Sequence, residues 1–263
     1  MRIDREQIEA HARQRLQEVG GPADARGRLR DFKRFLKLET DRLRMRHRFG
    51  LGGLEIASAR SYQVDQVVAH ACRLALADAA PESRLALAGC AVVALGGYGR
   101  GELSPFSDVD LLFLHQGRAR EAVRAFVEQV LQLLWDAGLT IGHSFRTVAE
   151  CLAEARRDLH SRTALAEARL VAGDTGVFGA LDRALDNAIR RDRRTGEAFL
   201  ESLRADVAER HARFAGAVCV QEPNVKEGVG GLRDLHAVLW AAQARNGARG
   251  LAELSAAGLM PEG

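Results

Sequence analysis

Hydrophobic positions in the first fifty residues recur at helical spacing. Leu29, Phe32, Leu36 and Leu43 fall three, four and seven residues apart within a very basic stretch from Arg2 to about Arg48. That spacing lines one helix face with apolar side chains and turns the arginines to water. Gly20, Gly21 and Pro22 interrupt the stretch early, and Gly50, Gly52 and Gly53 close it, so two helices are predicted. A further helix is predicted from about Tyr62 to Asp78, with Val64, Val67, Val68, Ala71, Cys72 and Leu74 facing inward and Pro81 stopping it.

The period then changes. Within the longest apolar run, Leu85 to Gly97, the segment Cys90 to Leu95 ends in Gly96-Gly97 and reads as a buried strand. Val109 to Leu114, bounded by Pro105 and Gly117, reads as a second strand. Ala119 to Ala137 has helical periodicity through Val123, Phe126, Val127, Val130, Leu133 and Leu134, with Gly138 placed to cap it. Leu139 to Phe145 is a third candidate strand. The pattern from Thr147 to about Leu203 is mostly helical, and another helix is predicted over Gly231 to Ala244. This order predicts an α+β fold: an α/β core with a small mixed sheet, flanked by N- and C-terminal helices. The expected division is a helical region over 1–80, the core over 81–180 and a second helical region over 181–263.

Composition adds limits. The 263 residues are 47% hydrophobic and 28% charged, ordinary globular usage that excludes a disordered or fibrous chain. Net charge is +3, but only Lys33, Lys37 and Lys226 are lysines. A skew to arginine alongside abundant Ala, Leu and Gly looks like a compositional habit, so no nucleic-acid partner is expected, and the basic helix reads as a solvated amphipathic face. Cys72, Cys90, Cys151 and Cys219 are scattered, without metal-ligand spacing, which suits buried thiols in a reducing compartment. The opening Met-Arg-Ile-Asp-Arg-Glu lacks the apolar stretch of a secretory signal, and no apolar run reaches the ~20 residues needed to span a bilayer. A soluble cytoplasmic protein with no membrane partner is expected.

The chemistry concentrates between Val92 and Leu114. Asp108 and Asp110 stand two residues apart at the start of an apolar strand, so their side chains are expected on one face, ~6.6 Å apart along the backbone. Carboxylates that close repel unless a cation lies between them, and hard oxygen ligands on a rigid strand suit Mg²⁺, which completes its shell with water and substrate phosphates. Gly96 and Gly97 directly follow a strand, where backbone N–H groups can approach phosphate oxygens closely. A Gly-Gly pair alone is usually a turn, and an Asp-x-Asp alone a solvated strand end. Their conjunction, each abutting an apolar strand, describes metal-dependent nucleotidyl transfer from a nucleoside triphosphate. There is no GxxxxGK[ST], and glycines at 96, 97, 99 and 101 do not fit GxGxxG, so neither a P-loop nor a dinucleotide fingerprint is present.

Leu95-Gly-Gly, ten residues, then Asp108-Val-Asp-Leu resembles the signature of the nucleotidyltransferase-fold superfamily. The fuller string from Gly96 to Leu111, with Glu222 to His236, Arg46 to Glu55 and Gly142 to Thr147, closely resembles the N-terminal part of the bacterial PII uridylyltransferase/uridylyl-removing enzyme family. The resemblance covers about residues 30 to 245. It implies uridylyl transfer from UTP to a tyrosine hydroxyl of the nitrogen-regulatory PII protein, with Mg²⁺ or Mn²⁺ and pyrophosphate as leaving product. It assigns Gly96 and Gly97 to triphosphate binding and Asp108 and Asp110 to metals and catalysis. Ser107 is a candidate for orienting the strand end and Arg100 for meeting a phosphate.

The superfamily usually supplies a third carboxylate from a later strand. Glu167 is a candidate, with an exposed helical charge as its other reading, and His143 reads as a core or rim histidine. Members of the family continue into an HD-type phosphohydrolase domain and glutamine-sensing ACT domains. No His-Asp dipeptide occurs in the 263 residues, so the removing activity and the glutamine switch are expected to be absent from this chain, as in an N-terminal fragment or a stand-alone or decayed relative. Two alternatives stay open: the same fold acting with another donor or acceptor, and a non-catalytic module that binds nucleotide or PII. The loop of Gly228, Gly230 and Gly231 with Lys226 and Arg233 is either a second phosphate or partner contact, or a glycine-rich connector to a helix.

Overall fold

A computed structural model describes residues 5–17, 25–118, 120–188, 193–214, 222, 224–248 and 250–259. In chain order the helices are α1 (Arg5–Gln17), α2 (Ala25–Arg48), α3 (Gly53–Asp78), α4 (Pro81–Leu87), α5 (Gly96–Gly99), α6 (Arg120–Asp136), α7 (Val148–Arg157), α8 (Leu159–Ala166), α9 (Thr175–Asp186), α10 (Arg193–Arg213), α11 (Leu232–Asn246) and α12 (Leu251–Ala256). The strands are β1 (Cys90–Ala94), β2 (Val109–His115), β3 (Ile141–Thr147) and β4 (Arg169–Gly173). Gly20, Gly21, Pro22 and Cys219 lie outside the described residues.

The strands form one mixed sheet in the order β3-β2-β1-β4. β1 runs antiparallel to both β2 and β4, and β2 runs parallel to β3. Alternation along β1 and β2 sends Val92, Ala94, Val109, Leu111 and Phe113 to one face, where they join an apolar cluster with Val64, Val67, Val68, Val130 and Leu134 of α3 and α6. Ala91, Val93, Leu112 and Leu114, on the opposite face, are also buried. A strand pair covered on both faces explains the unbroken apolar runs that marked it in the sequence.

Two compact units result. The first comprises residues 1–151 with 167–181, and the second residues 152–166 with 182–263. The structure draws the division differently from the expected one at residue 80, because one cluster running from Ile8 through Phe32, Val64 and Leu111 to Ile141 ties α1–α3 to the sheet. In the second unit Phe199 and Leu203 of α10 pack with Trp240 and Ala244 of α11.

Several boundaries differ from expectation for physical reasons. α3 starts at Gly53, well before Tyr62, because Ile56, Ala57 and Ala59 extend its buried face by two turns. Pro81 opens α4 as well as ending the preceding helix, as proline's fixed φ allows at a first helical position, and this helix takes the start of the long apolar run. β3 lies two residues later than read. β4 falls inside the stretch expected to be helical: Arg-Leu-Val-Ala-Gly is short and only half-buried, so it carries little period-2 signal. Cys72, Cys90 and Cys151 are free and buried, and burial pushes their thiols up to about 12, 11 and 11, matching the reading as inert small hydrophobes.

Leu134, fully buried between α6 and the sheet, tests the core. Leu134→Ala should cost about 2–5 kcal/mol in urea unfolding.

Candidate active site

The turn after β1 has a fixed shape for local reasons. Gly96 adopts φ +56°, a left-handed conformation that side chains rarely accept, and α5 follows at once. Within the turn the N–H groups of Gly99, Arg100 and Glu102 donate to the carbonyls of Leu95, Gly96 and Gly97, at 2.9, 3.0 and 2.8 Å. The N–H groups of Gly96, Gly97 and Tyr98 are the first-turn donors that helical geometry leaves without an internal acceptor.

β2 enters beside this turn. Leu95 N–H donates to the Asp110 carbonyl at 3.0 Å, and a Cβ placed on Gly96 would lie 3.6 Å from Asp110 Oδ2. Asp108 immediately precedes β2 and Asp110 is its second residue; both are exposed while Val109 between them is buried. The structure therefore brings Asp110 to the mouth of the glycine turn, with Asp108 two residues before it at the entry to β2. Gly142, paired with Asp110 across the parallel ladder, is a residue that sequence reasoning missed. A Cβ there would drive into Asp110 Oδ1, so glycine makes the space the carboxylate occupies. Its signal was present as a lone glycine inside a strand pattern.

Asp108 and Asp110 offer only hard carboxylate oxygens, and among the described residues no group of three or more His, Cys, Asp and Glu side chains converges as a metal site. Two carboxylates fit Mg²⁺ or Mn²⁺, which take a minority of ligands from protein and the rest from water and phosphate. Glu167 is not an exposed helical charge, the alternative read from sequence. It lies past the end of α8, its side chain is 7% exposed, and Arg100 Nη1 meets its Oε1 at 2.7 Å while Arg100 Nε donates to Glu102 Oε2 at 2.8 Å. Burial works against the Arg100 charge, and Glu167 with Glu102 outweighs it, holding the guanidinium above its ordinary pKa. Arg100 thus stands beside the turn, with its Nη2 3.6 Å from where a Gly97 Cβ would be. Ser107 is exposed in the loop before β2. His143 lies on the face opposite Asp110, exposed and edge-on to Trp135 at 5.8 Å.

Helix α3 underpins the loop. Ser61 Oγ accepts from Leu103 N–H at 2.9 Å, and Asp65 accepts from the Tyr98 hydroxyl at 2.7 Å. Burial first, then Asp65, raises the Tyr98 pKa well above its usual value, so the phenol stays a neutral donor. Gly99 abuts the carbonyl of Glu167 so closely that no Cβ fits between them. In the second unit, Lys226 and Glu227 N–H groups donate to Asn224 Oδ1, Gly228 and Gly231 N–H groups to the Asn224 and Gly228 carbonyls, and Gly230 N–H to Asp234 Oδ2. These five donors are used within the loop, which favours the connector reading.

A mixed sheet carrying a glycine turn against an Asp-x-Asp strand defines the class: residues 83–171 match the family model described as nucleotidyltransferase domain. Residues 198–263 match the model described as GlnD PII-uridylyltransferase. Among curated relatives, proteins named bifunctional uridylyltransferase/uridylyl-removing enzyme are 44% identical over 169 residues in Rhodospirillum rubrum, 43% over 225 in Thiobacillus denitrificans and 43% over 152 in Azospirillum brasilense. These alignments cover 64%, 83% and 58% of this chain but only 18%, 26% and 16% of the relatives, so the chain spans at most about a quarter of their length. They bear out the resemblance read from the sequence, to the N-terminal portion of that enzyme family.

The space around Asp110 is testable. Gly142→Ala should leave the melting temperature within a few degrees but weaken Mn²⁺ binding, followed by electron paramagnetic resonance, by roughly tenfold, because a displaced ligand carboxylate forfeits a charge-assisted contact.

Proposed function

We propose that the chain carries out metal-dependent uridylyl transfer from UTP to a tyrosine hydroxyl of the PII protein. The observation that carries this reading is the abutment of the exposed Asp110 carboxylate on the left-handed Gly96 turn, which puts cation ligands and phosphate-facing N–H groups at one mouth. Nucleotidyltransferase domains need those two features together. The choice of UTP and PII rests on the named relatives and on the model matching 198–263.

Asp108 and Asp110 would hold Mg²⁺ or Mn²⁺, which when bound supplies positive charge to the triphosphate and its leaving group. The Gly96, Gly97 and Tyr98 N–H groups bind phosphate oxygens, with backbone dipoles already oriented and no Cβ at the glycines to hold the anion away. Arg100, kept charged by Glu167 and Glu102, adds a cation at the same mouth. Ser107 orients the entry to β2. The attacking phenolic oxygen forms the new bond to the α-phosphorus, the bond from that phosphorus to the bridging oxygen breaks, and pyrophosphate leaves. Among the described residues no helix is long and apolar enough to cross a membrane, and the described cysteines are free thiols, both of which accord with a cytoplasmic reaction.

Asp110→Ala should reduce PII-dependent pyrophosphate release from UTP by at least ~10²-fold while preserving the circular dichroism spectrum and melting temperature. ATP in place of UTP should support little release. Equal turnover in Asp110→Ala would overturn the metal assignment. UTP binding by the wild type without any release would instead identify a nucleotide-binding module.

A further inference from the structure

Arg169, at the start of β4, makes contacts beyond those of an ordinary ion pair. Its Nη1 and Nη2 donate to Asp65 Oδ2 and Oδ1 at 2.9 and 3.0 Å, a two-pronged pairing with α3. Two further donors reach the main chain of the glycine turn: Nη2 to the Tyr98 carbonyl at 3.1 Å and Nε to the Gly99 carbonyl at 3.3 Å. The guanidinium also lies over the Tyr98 ring, 5.3 Å from its centroid, while the Tyr98 hydroxyl closes the circuit by donating to Asp65 Oδ1 at 2.7 Å. Tyr98 is 1% exposed, while Asp65 and Arg169 are partly buried, so the circuit runs from the packed interior to the rim of the turn.

We infer that Arg169 is a positioning residue for nucleotide binding, acting with Asp65 and Tyr98 as a clamp that sets the backbone of the Gly96–Gly99 turn. The inference rests on the proposed function for its ligand and on the geometry above for its physics. Fixing the carbonyls of Tyr98 and Gly99 fixes the two peptide planes that follow Tyr98 and Gly99. Their N–H groups, on Gly99 and Arg100, point the other way, to the carbonyls of Leu95 and Gly96. The turn is therefore gripped from both sides, and its three leading N–H groups are held in one orientation before any ligand arrives. Four hydrogen bonds from one planar group need a guanidinium: an ammonium has three donors on a single nitrogen and cannot reach both Asp65 oxygens and both carbonyls. The sequence holds no sign of this role, because Asp65, Tyr98 and Arg169 are 33 and 71 residues apart along the chain.

The test is amide hydrogen exchange on the full 263-residue chain, run beside calorimetric titration with UTP and Mg²⁺. Arg169→Lys keeps the charge and loses the fork. Exchange at Gly99 to Glu102 should rise about tenfold, and the UTP dissociation constant should rise by a similar factor, with exchange across β1, β2 and α6 unchanged. Arg28→Lys, which alters a different arginine pairing with α3 at Asp78, should change neither reading. Should Arg169→Lys fail to fold, Tyr98→Phe decides, with a smaller acceleration confined to the same turn. Unaltered turn exchange, acceleration spread evenly over the sheet, or turn acceleration with unchanged UTP affinity would each overturn the clamp's positioning role. If the wild type binds no UTP, the functional reading falls, while turn-confined acceleration still separates a clamp from a passive ion pair.

Discussion

Backbone that only glycine accommodates is the constraint on which the site depends. At Gly96 the backbone turns left-handed against Asp110; at Gly99 it presses on the carbonyl of Glu167; at Gly142 it makes way for the Asp110 carboxylate. These three contacts converge from β1, β2, β3 and the segment entering β4. A side chain at Gly99 would force the turn off the Glu167 backbone, one at Gly142 would displace the Asp110 carboxylate, and one at Gly96 would strain a left-handed backbone. A Cβ at either member of the glycine pair would meet only ordinary van der Waals contacts. Gly96 is required by its left-handed φ, which Gly97 lacks, and the case for Gly97 rests on access to the ligand.

Around that mouth charge is sorted by environment. Asp108 and Asp110 stand exposed, while beside the turn Arg100 pairs with Glu102 and Glu167, and Arg169 with Asp65. Paired charges at partial burial hold geometry, because removing one partner strands the other in a poorly solvated place. Exposed carboxylates at a solvent-facing strand end offer oxygens that a cation can reach. Helix α3 links these roles, sending Val64, Val67 and Val68 into the core and Ser61 and Asp65 to the loop and turn.

Much of this was legible beforehand where the signal is local. Cys90 to Ala94 and Val109 to Leu114 are covered on both faces, so they read as apolar runs, and the motif between them carries its chemistry in one short stretch. The spacing of Asp108 and Asp110 placed them correctly at the strand entry. What escaped was non-local. β4 is half-buried and brief, so nothing in Arg-Leu-Val-Ala-Gly announced a strand. Glu167 read either as a third carboxylate or as an exposed helical charge until the fold brought Arg100 to it, and Gly142 gains its meaning only from Asp110, its partner in parallel pairing. The N-terminal helices, read as a separate region, share one core with the sheet, because Val64, Val67 and Val68 of α3 belong to the same buried cluster as Val92, Leu111 and Phe113. The Asn224–Asp234 loop read as either a phosphate or partner contact or a connector, and several of its N–H groups turn out to donate to its own Asn224 and Asp234 side chains and backbone carbonyls.

The central claim is that the exposed carboxylate pair and the glycine turn form one metal–triphosphate site. Calorimetric titration with UTP in the presence and absence of Mg²⁺, on wild type and on the Asp108→Ala/Asp110→Ala variant, tests it most directly. The account predicts saturable binding to wild type that strengthens with Mg²⁺, and loss of that Mg²⁺-dependent gain in the folded variant. Equal Mg²⁺-dependent binding by both proteins, or none by the wild type, would contradict it.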